Sequence, residues 1–308
     1  MRKFFPFCTS LFTLVLLISA SPVLAQNVMF VSPNGNDANS CAQAAPCVTF
    51  QAAYNKGNVS QINCLGSGLY GPITITTSLT IDCGTGNVGN IVSSIANGIT
   101  INTTASATII LRHLALNGLS ATTFLSGIYA ASFFSGTLIV EDCMIHGYHG
   151  GFGIYFVPTN GRGLLQVSNS QVFDTVTGIV ADPSSGQIAS VTLNRIESVG
   201  NSSDGIALNG GVVAGTMRES VVGENGNTGV VANSSQVFFT VEESSIVDNL
   251  VNGIQTNSAN AIVNVGASTI GGNGTGVLAS QGSIISFGNN QMSTNATNGN
   301  FTSATPLR

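Results

Sequence analysis

The chain has no tryptophan and is short of charge. Only 7% of its 308 residues are Asp, Glu, Lys or Arg, against about 25% in ordinary globular proteins. Long helices need Glu, Lys, Arg, Ala and Leu on their exposed faces, so this scarcity excludes a helical architecture. Basic residues are scarcest. After residue 25 only Lys56, Arg112, Arg162, Arg195, Arg218 and Arg308 remain against 13 acidic residues, a net charge of −7. Without a basic patch, neither nucleic acid nor an anionic membrane surface is an expected partner. No segment after residue 25 has the roughly 20 consecutive apolar residues that a membrane span requires. Low charge does not signal disorder here, because 43% of residues are hydrophobic and they recur at regular spacing. What the chain does have is 37 Gly, abundant Asn, Ser and Thr, and strand formers between turn residues.

Residues 1–25 read as a secretory signal peptide. Arg2 and Lys3 form the positive region, Phe12 to Ile18 the apolar core, and Val23-Leu24-Ala25 the cleavage site. The remaining 283 residues are expected to be secreted, to the periplasm or beyond, and they fit one large domain or one repeat array.

Periodicity decides between these. A unit Gly-aliphatic-x-apolar recurs at Gly98, Gly127, Gly153, Gly178, Gly205, Gly229, Gly253 and Gly276, with steps of 29, 26, 25, 27, 24, 24 and 23 residues. A second unit, apolar-x-x-small-x-aliphatic-x-x-Asn, steps with it; its clearest copies start at Met217, Val241, Val265 and Phe287. A coil of short strands with tight bends fits this period. Alternate side chains point inward, Gly or Asn marks each bend by tolerating left-handed backbone, and stacked coils bury columns of Ile, Val and Leu. Asn201, Asn225, Asn249, Asn273 and Asn295 occupy one place in successive repeats and are expected to stack at a bend. Residues 48–56 are expected to form a short amphipathic helix over the first coil, because an open coil exposes a sheet edge.

The repeat, with the opening segment FVSPNGNDANSC…PCVTFQAA at residues 30–53, resembles the right-handed parallel β-helix proteins of the pectin-lyase-like class. The resemblance implies an all-β, single-stranded right-handed parallel β-helix with coils of about 22–29 residues. The expected organisation is a signal peptide (1–25), an N-terminal cap (26–60), the β-helix (61–295) and a C-terminal tail (296–308). The class includes polysaccharide lyases, galacturonases, epimerases, tailspikes and adhesins, so the fold alone does not choose a function. The hydrolase patterns of the class (an Asn-Thr-Asp run, an Asp pair, Gly-His-Gly, Arg-x-Lys) are not assembled; His149-Gly150 is a fragment of one.

Five cysteines follow the signal. Cys41 with Cys47 and Cys64 with Cys83 are the expected disulfides, and Cys143 falls in a column of small residues with Ser170, Ser220, Ser244 and Ser268, where a buried free thiol is expected. Across one coil, Arg112 aligns with Glu141, Arg218 with Glu242, Arg195 with Glu219 and His113 with Asp142, which predicts cross-strand ion pairs. Glu219 over Glu243 and Glu224 over Asp248 are like-charge neighbours, either of which a calcium ion would bridge, with solvent screening as the favoured alternative; calcium is the one cofactor the sequence leaves open. The region from 112 to 174 departs from the pattern. It holds all three His, its repeats are longest, and nine of the 17 aromatics after residue 25 lie between 124 and 173. Tyr129, Tyr148, Phe152, Tyr155 and Arg162 are therefore the candidate saccharide-binding residues, although aromatics are also common in cores. The leading expectation is an exported β-helix that binds extracellular or envelope polysaccharide without strong catalysis. Its alternatives are a polysaccharide lyase or glycoside hydrolase using Glu141, Asp142, His146, His149 or Asp174, and a structural or adhesive surface protein.

Overall fold

Strict alternation of apolar and polar side chains sets the architecture. In Arg162–Ser168, Gly163, Leu165 and Val167 are buried while Arg162 and Gln166 are exposed. The same pattern repeats in Ile188–Asn194 and Gln236–Glu242. A computed structural model describes residues 27–305; the expected signal peptide lies outside the described residues. Each coil contributes three strands, and like strands of successive coils pair in parallel to give three sheets. The first sheet runs through Ile206–Leu208, Thr228–Ala232, Asn252–Thr256 and Thr275–Ala279. The second runs through Ile188–Asn194, Val212–Arg218, Gln236–Glu242 and Ala261–Gly266. The third runs through Glu197–Val199, Val221–Gly223, Ser245–Val247 and Thr269–Gly271. Columns such as Ile128–Ile154–Ile179–Ile206–Val230–Ile254–Val277 are in register and fill the interior. No coil buries its apolar face alone, so stability comes from the stack.

The repeated glycines serve packing, which corrects the expectation that they mark left-handed bends. None of Gly127, Gly153, Gly178, Gly205, Gly229, Gly253 and Gly276 has a positive φ. A Cβ on Gly229 would lie 2.7 Å from the Gly253 carbonyl oxygen and 2.8 Å from Asn249 Nδ2. Each repeat glycine is small so that the next coil can close up beneath it, and from Gly178 onward an asparagine amide closes up with it. The asparagines form the expected ladder: Nδ2 of Asn201, Asn225, Asn249 and Asn273 each donates to Oδ1 of the next at 2.9 Å.

Left-handed backbone at the two sharp corners falls on other residues: glycines outside the repeat unit (Gly147, Gly200 and Gly272), Ala267, and charged or polar side chains. His113, Asp142, Asn169, Arg195, Glu219 and Glu243 turn the chain from the second sheet into the third, and Asp174, Glu224 and Asp248 turn it from the third into the first. The next residue inside the first of these corners belongs to the small column. The backbone N–H groups of Cys143, Ile196, Ser220 and Ser244 donate to Oγ of Ser170, Ser220, Ser244 and Ser268 respectively. Cys143 is a buried free thiol there, pushed up to about 12 by burial.

The front of the solenoid is covered as expected, by a shorter helix, Phe50–Tyr54, with Phe50 and Ala53 buried. Thr49 Oγ1 caps it by accepting from the Ala52 N–H, and Asp37 accepts from the N–H groups of Val48 and Thr49 and from the Thr49 hydroxyl. Two disulfides, Cys41–Cys47 and Cys64–Cys83, tie the cap and the first coils. At the other end, Thr297–Gly299 and Ser303–Ala304 pair with the first and second sheets, so the coil continues past residue 295.

Candidate functional site

The corner between the second and third sheets carries a comb of charged residues. A left-handed residue there throws its side chain outward, and stacking sets such residues one coil apart. All four expected pairs form: Arg112 Nε–Glu141 Oε2 at 2.8 Å, Arg218–Glu242 at 3.3 Å, Arg195–Glu219 at 3.5 Å, and His113 Nε2–Asp142 Oδ2 at 3.8 Å. His113 Nδ1 also lies 2.8 Å from Asp82 Oδ1, and Arg218 reaches Glu243 at 3.4 Å. Glu219 and Glu243, like charges one coil apart, are thus each paired with an arginine. Beside this comb lies a groove of about 610 Å³, bounded at one end by Gly86–Val88 and walled by His113, Asp142, Asn169, Gln171, Arg195 and Glu197.

The outer face of the third sheet is about three residues wide. On the strand Met144–Pro158 it presents Met144 and His146, and the chain then turns the next corner at Gly147, with His149 two residues beyond. His146 stacks on Phe173 of the next coil, with ring centroids 4.9 Å apart and planes 4° from parallel. His149 Nε2 lies 2.8 Å from Asp174 Oδ1, and the pair borders a hollow of about 270 Å³ with Thr175, Gly200 and Ser202. The candidate catalytic residues therefore divide: Glu141 and Asp142 sit at one corner, His146 on the sheet between, and His149 with Asp174 at the other corner.

Around that second corner, on the outer face of the first sheet, four rings form a ladder. Phe124 meets Phe152 at 5.3 Å and Tyr129 at 6.4 Å, both edge-on; Tyr155 meets Phe152 at 5.0 Å and Tyr129 at 5.7 Å. Phe152 and Tyr155 rest on a small outer apolar cluster of Val180, Ala207 and Val231, while Phe124 is 56% exposed. Tyr155 donates to Asp182 Oδ2 at 3.1 Å. Burial, helped by the Asp182 carboxylate, pushes the Tyr155 hydroxyl up to about 12, so it stays protonated. Beyond Asp182 the same edge carries an exposed amide row, in which Asn257 donates to Asn233 and Asn233 to Asn209. Phe124 and Asp182 were missing from the expected site. Phe124 is in a loop outside the repeat register, and Asp182 is legible only once the coils are aligned.

One expected ligand contact is corrected, and another, Arg162, stands apart from the ring ladder. Tyr148 is fully buried: it occupies the position in the third-to-first corner that the asparagine ladder takes in later coils, and its ring fills the interior beside Gly98, Gly118 and Gly127. Its hydroxyl has no hydrogen-bond partner among the described residues, and burial raises its pKa. An unpartnered buried hydroxyl costs about 1–3 kcal/mol. Tyr148→Phe should therefore raise thermal stability by a few degrees and leave any surface activity unchanged, as a melting curve would show. Arg162 lies on the second sheet, across a corner from the ring ladder, with Nε donating to Ser190 Oγ at 2.6 Å. Glu224 and Asp248 are stacked one coil apart, both in left-handed conformation. Among the described residues no group of three or more His, Cys, Asp or Glu is placed to hold a metal ion, and no helix is long and apolar enough to cross a membrane.

No known family model and no curated protein matches the sequence. The structure is similar to the A-module of mannuronan C-5 epimerase AlgE6 of Azotobacter vinelandii, at 20% identity and a TM-score of 0.59, over 76% of this chain and 69% of that one. It is similar to pectate lyase Pel9A at 17% identity and a TM-score of 0.60, over 84% of this chain and 74% of that one. At these identities the likeness shows the fold alone: the chain is a right-handed parallel β-helix.

Proposed function

We propose that this protein is exported and binds polysaccharide through the ring ladder of Phe124, Tyr129, Phe152 and Tyr155. The ladder is the observation that carries the reading. Four aromatic rings in mutual contact on an outer sheet face, with one edge exposed, give flat apolar surfaces against which sugar rings stack. Asp182 and the amide row beside it supply acceptors and donors for hydroxyls. Two proteins of the same fold are, by name, an epimerase of mannuronan and a lyase of pectate, which supports a polysaccharide role. Two disulfides are consistent with an oxidising compartment outside the cytoplasm.

Cleavage is a second reading, favoured by the His149–Asp174 pair three residues from Phe152. A positioned imidazole–carboxylate pair is a general acid–base arrangement. Retention of residues 26–308 on immobilised polysaccharides, with and without calcium, tests binding, and product release from the retained polymers tests cleavage. Retention without turnover supports the binding reading. Turnover that Asp174→Asn abolishes would replace it with the enzymatic one. No retention on a broad panel would leave a structural β-helix.

A further inference from the structure

A groove of about 610 Å³ lies away from the ring ladder, at the corner between the second and third sheets, on a different face of the solenoid. We propose that this groove is a second saccharide site, specific for a neutral linear oligosaccharide laid along the solenoid axis. The ligand class rests on the polysaccharide reading above; the site does not.

Three features support it. The first is the chemistry of the walls. His113, Asp142, Asn169, Gln171, Arg195 and Glu197 all end in planar polar groups with two or more donor or acceptor atoms, the geometry that engages paired hydroxyls. Their present contacts hold them in place: Arg195 Nε donates to Asn169 Oδ1 at 2.7 Å, Gln171 Nε2 to Glu197 Oε2 at 2.9 Å, and His113 is pinned against Asp82 at 2.8 Å. Such pairing lowers the ordering cost of binding.

The second is the repeat length. His113, Asp142, Asn169 and Arg195 occur once per coil, so the wall repeats at about 4.8 Å and spans about 14 Å. A polymer of pyranose rings advances by about one coil per unit and stays in register. An extended peptide, at about 3.3 Å per residue, falls out of register after the first. The floor is apolar and shallow, with Ala115 and Met144 available to the less polar faces of the rings.

The third is charge. Asp142 and Glu197 face the groove against Arg195, and Asp82 lies behind His113. A uronate polymer would meet this acidic balance unfavourably, and a neutral one would not. The two faces would then hold two strands of polymer at once and cross-link them.

The test is binding stoichiometry by titration calorimetry. The probes are the β-1,4-linked hexasaccharides of glucose, mannose and xylose, with hexagalacturonate as the acidic comparison. The chain is compared with Gln171→Ala/Glu197→Ala and with Phe152→Ala/Tyr155→Ala. All four side chains lie on the outside, and unchanged circular dichroism confirms folding. A neutral hexasaccharide should bind at two sites per chain. The groove variant should lose one of them, weakened at least tenfold, and hexagalacturonate should not fill that site. One site lost only in the ring variant overturns the groove and keeps the ring ladder. One site lost only in the groove variant keeps the groove and overturns the ring ladder. No binding by any probe overturns both.

Discussion

Replacing Asn249 by alanine should destabilise the protein by about 2–5 kcal/mol, whereas the same replacement at Asn233 should cost less than about 0.5 kcal/mol. Both asparagines take part in amide-to-amide ladders, so the contrast isolates burial. Asn249 is 1% exposed. Its Nδ2 donates to Asn273 Oδ1 and to the Val222 carbonyl, and its Oδ1 accepts from both Nδ2 and the backbone N–H of Asn225. Alanine removes all four bonds and leaves the Asn225 N–H without its partner in a site closed to water. Asn233 donates to Asn209 on the exposed edge of the first sheet, where water replaces the lost bond. Urea unfolding measures both. Because each coil contacts only its neighbours, the Asn249→Ala lesion should also uncouple the coils that follow it. Limited proteolysis should then cut beyond residue 249 before the rest of the chain unfolds. Equal losses at the two positions would show that the interior ladder contributes no more than a surface one.

That ladder was legible in the sequence because a solenoid maps one repeat onto one coil. Aligning the second unit put Asn201, Asn225, Asn249, Asn273 and Asn295 in one column, and the same alignment placed Arg112 over Glu141 and Arg195 over Glu219. The role of the repeat glycines was not legible in this way. Composition suggests turns wherever glycine recurs, but Gly229 is selected by the 2.7 Å approach of the next coil's carbonyl. Nothing in one repeat reveals the distance to the next. Left-handed positions also went to Arg195 and Glu219, residue types with no intrinsic preference for that conformation. There the regular corner overrides propensity, and the outward side chains are tied into ion pairs.

The candidate site was legible only in outline. Clustering of aromatics between 124 and 173 pointed to the correct coils but could not sort inside from outside. These coils are longer than the later ones, so the two-residue alternation loses its phase at the register shift between Tyr148 and Phe152. Tyr148 falls inward before that shift and Phe152 outward after it. The groove was missed for a different reason. Its walls come from four coils, each contributing one or two ordinary polar residues, and no local motif marks them.

Phe152→Ala/Tyr155→Ala should lower affinity for a retained polysaccharide by more than about tenfold and less than about a hundredfold, each single change costing about tenfold or about 1.4 kcal/mol. Truncating either ring removes a stacking surface and also loosens its partner, since Phe152 and Tyr155 are in contact at 5.0 Å and share Val180, Ala207 and Val231 beneath them. The two losses should therefore be coupled, and the double variant should cost less than the sum of the single ones. Tyr155→Phe separates ring from hydroxyl. It keeps the stack and breaks only the bond to Asp182, so it should retain most of the affinity. Stability should fall modestly in the double variant, because the rings cover an outer cluster and leave the interior columns intact. Equilibrium retention on the polymer, measured for the native chain, the two single alanine variants, the double variant and Tyr155→Phe, decides the matter. If the double variant binds as tightly as the native chain, the ring ladder is a packing device that shields Val180, Ala207 and Val231 from water, and the saccharide site lies elsewhere.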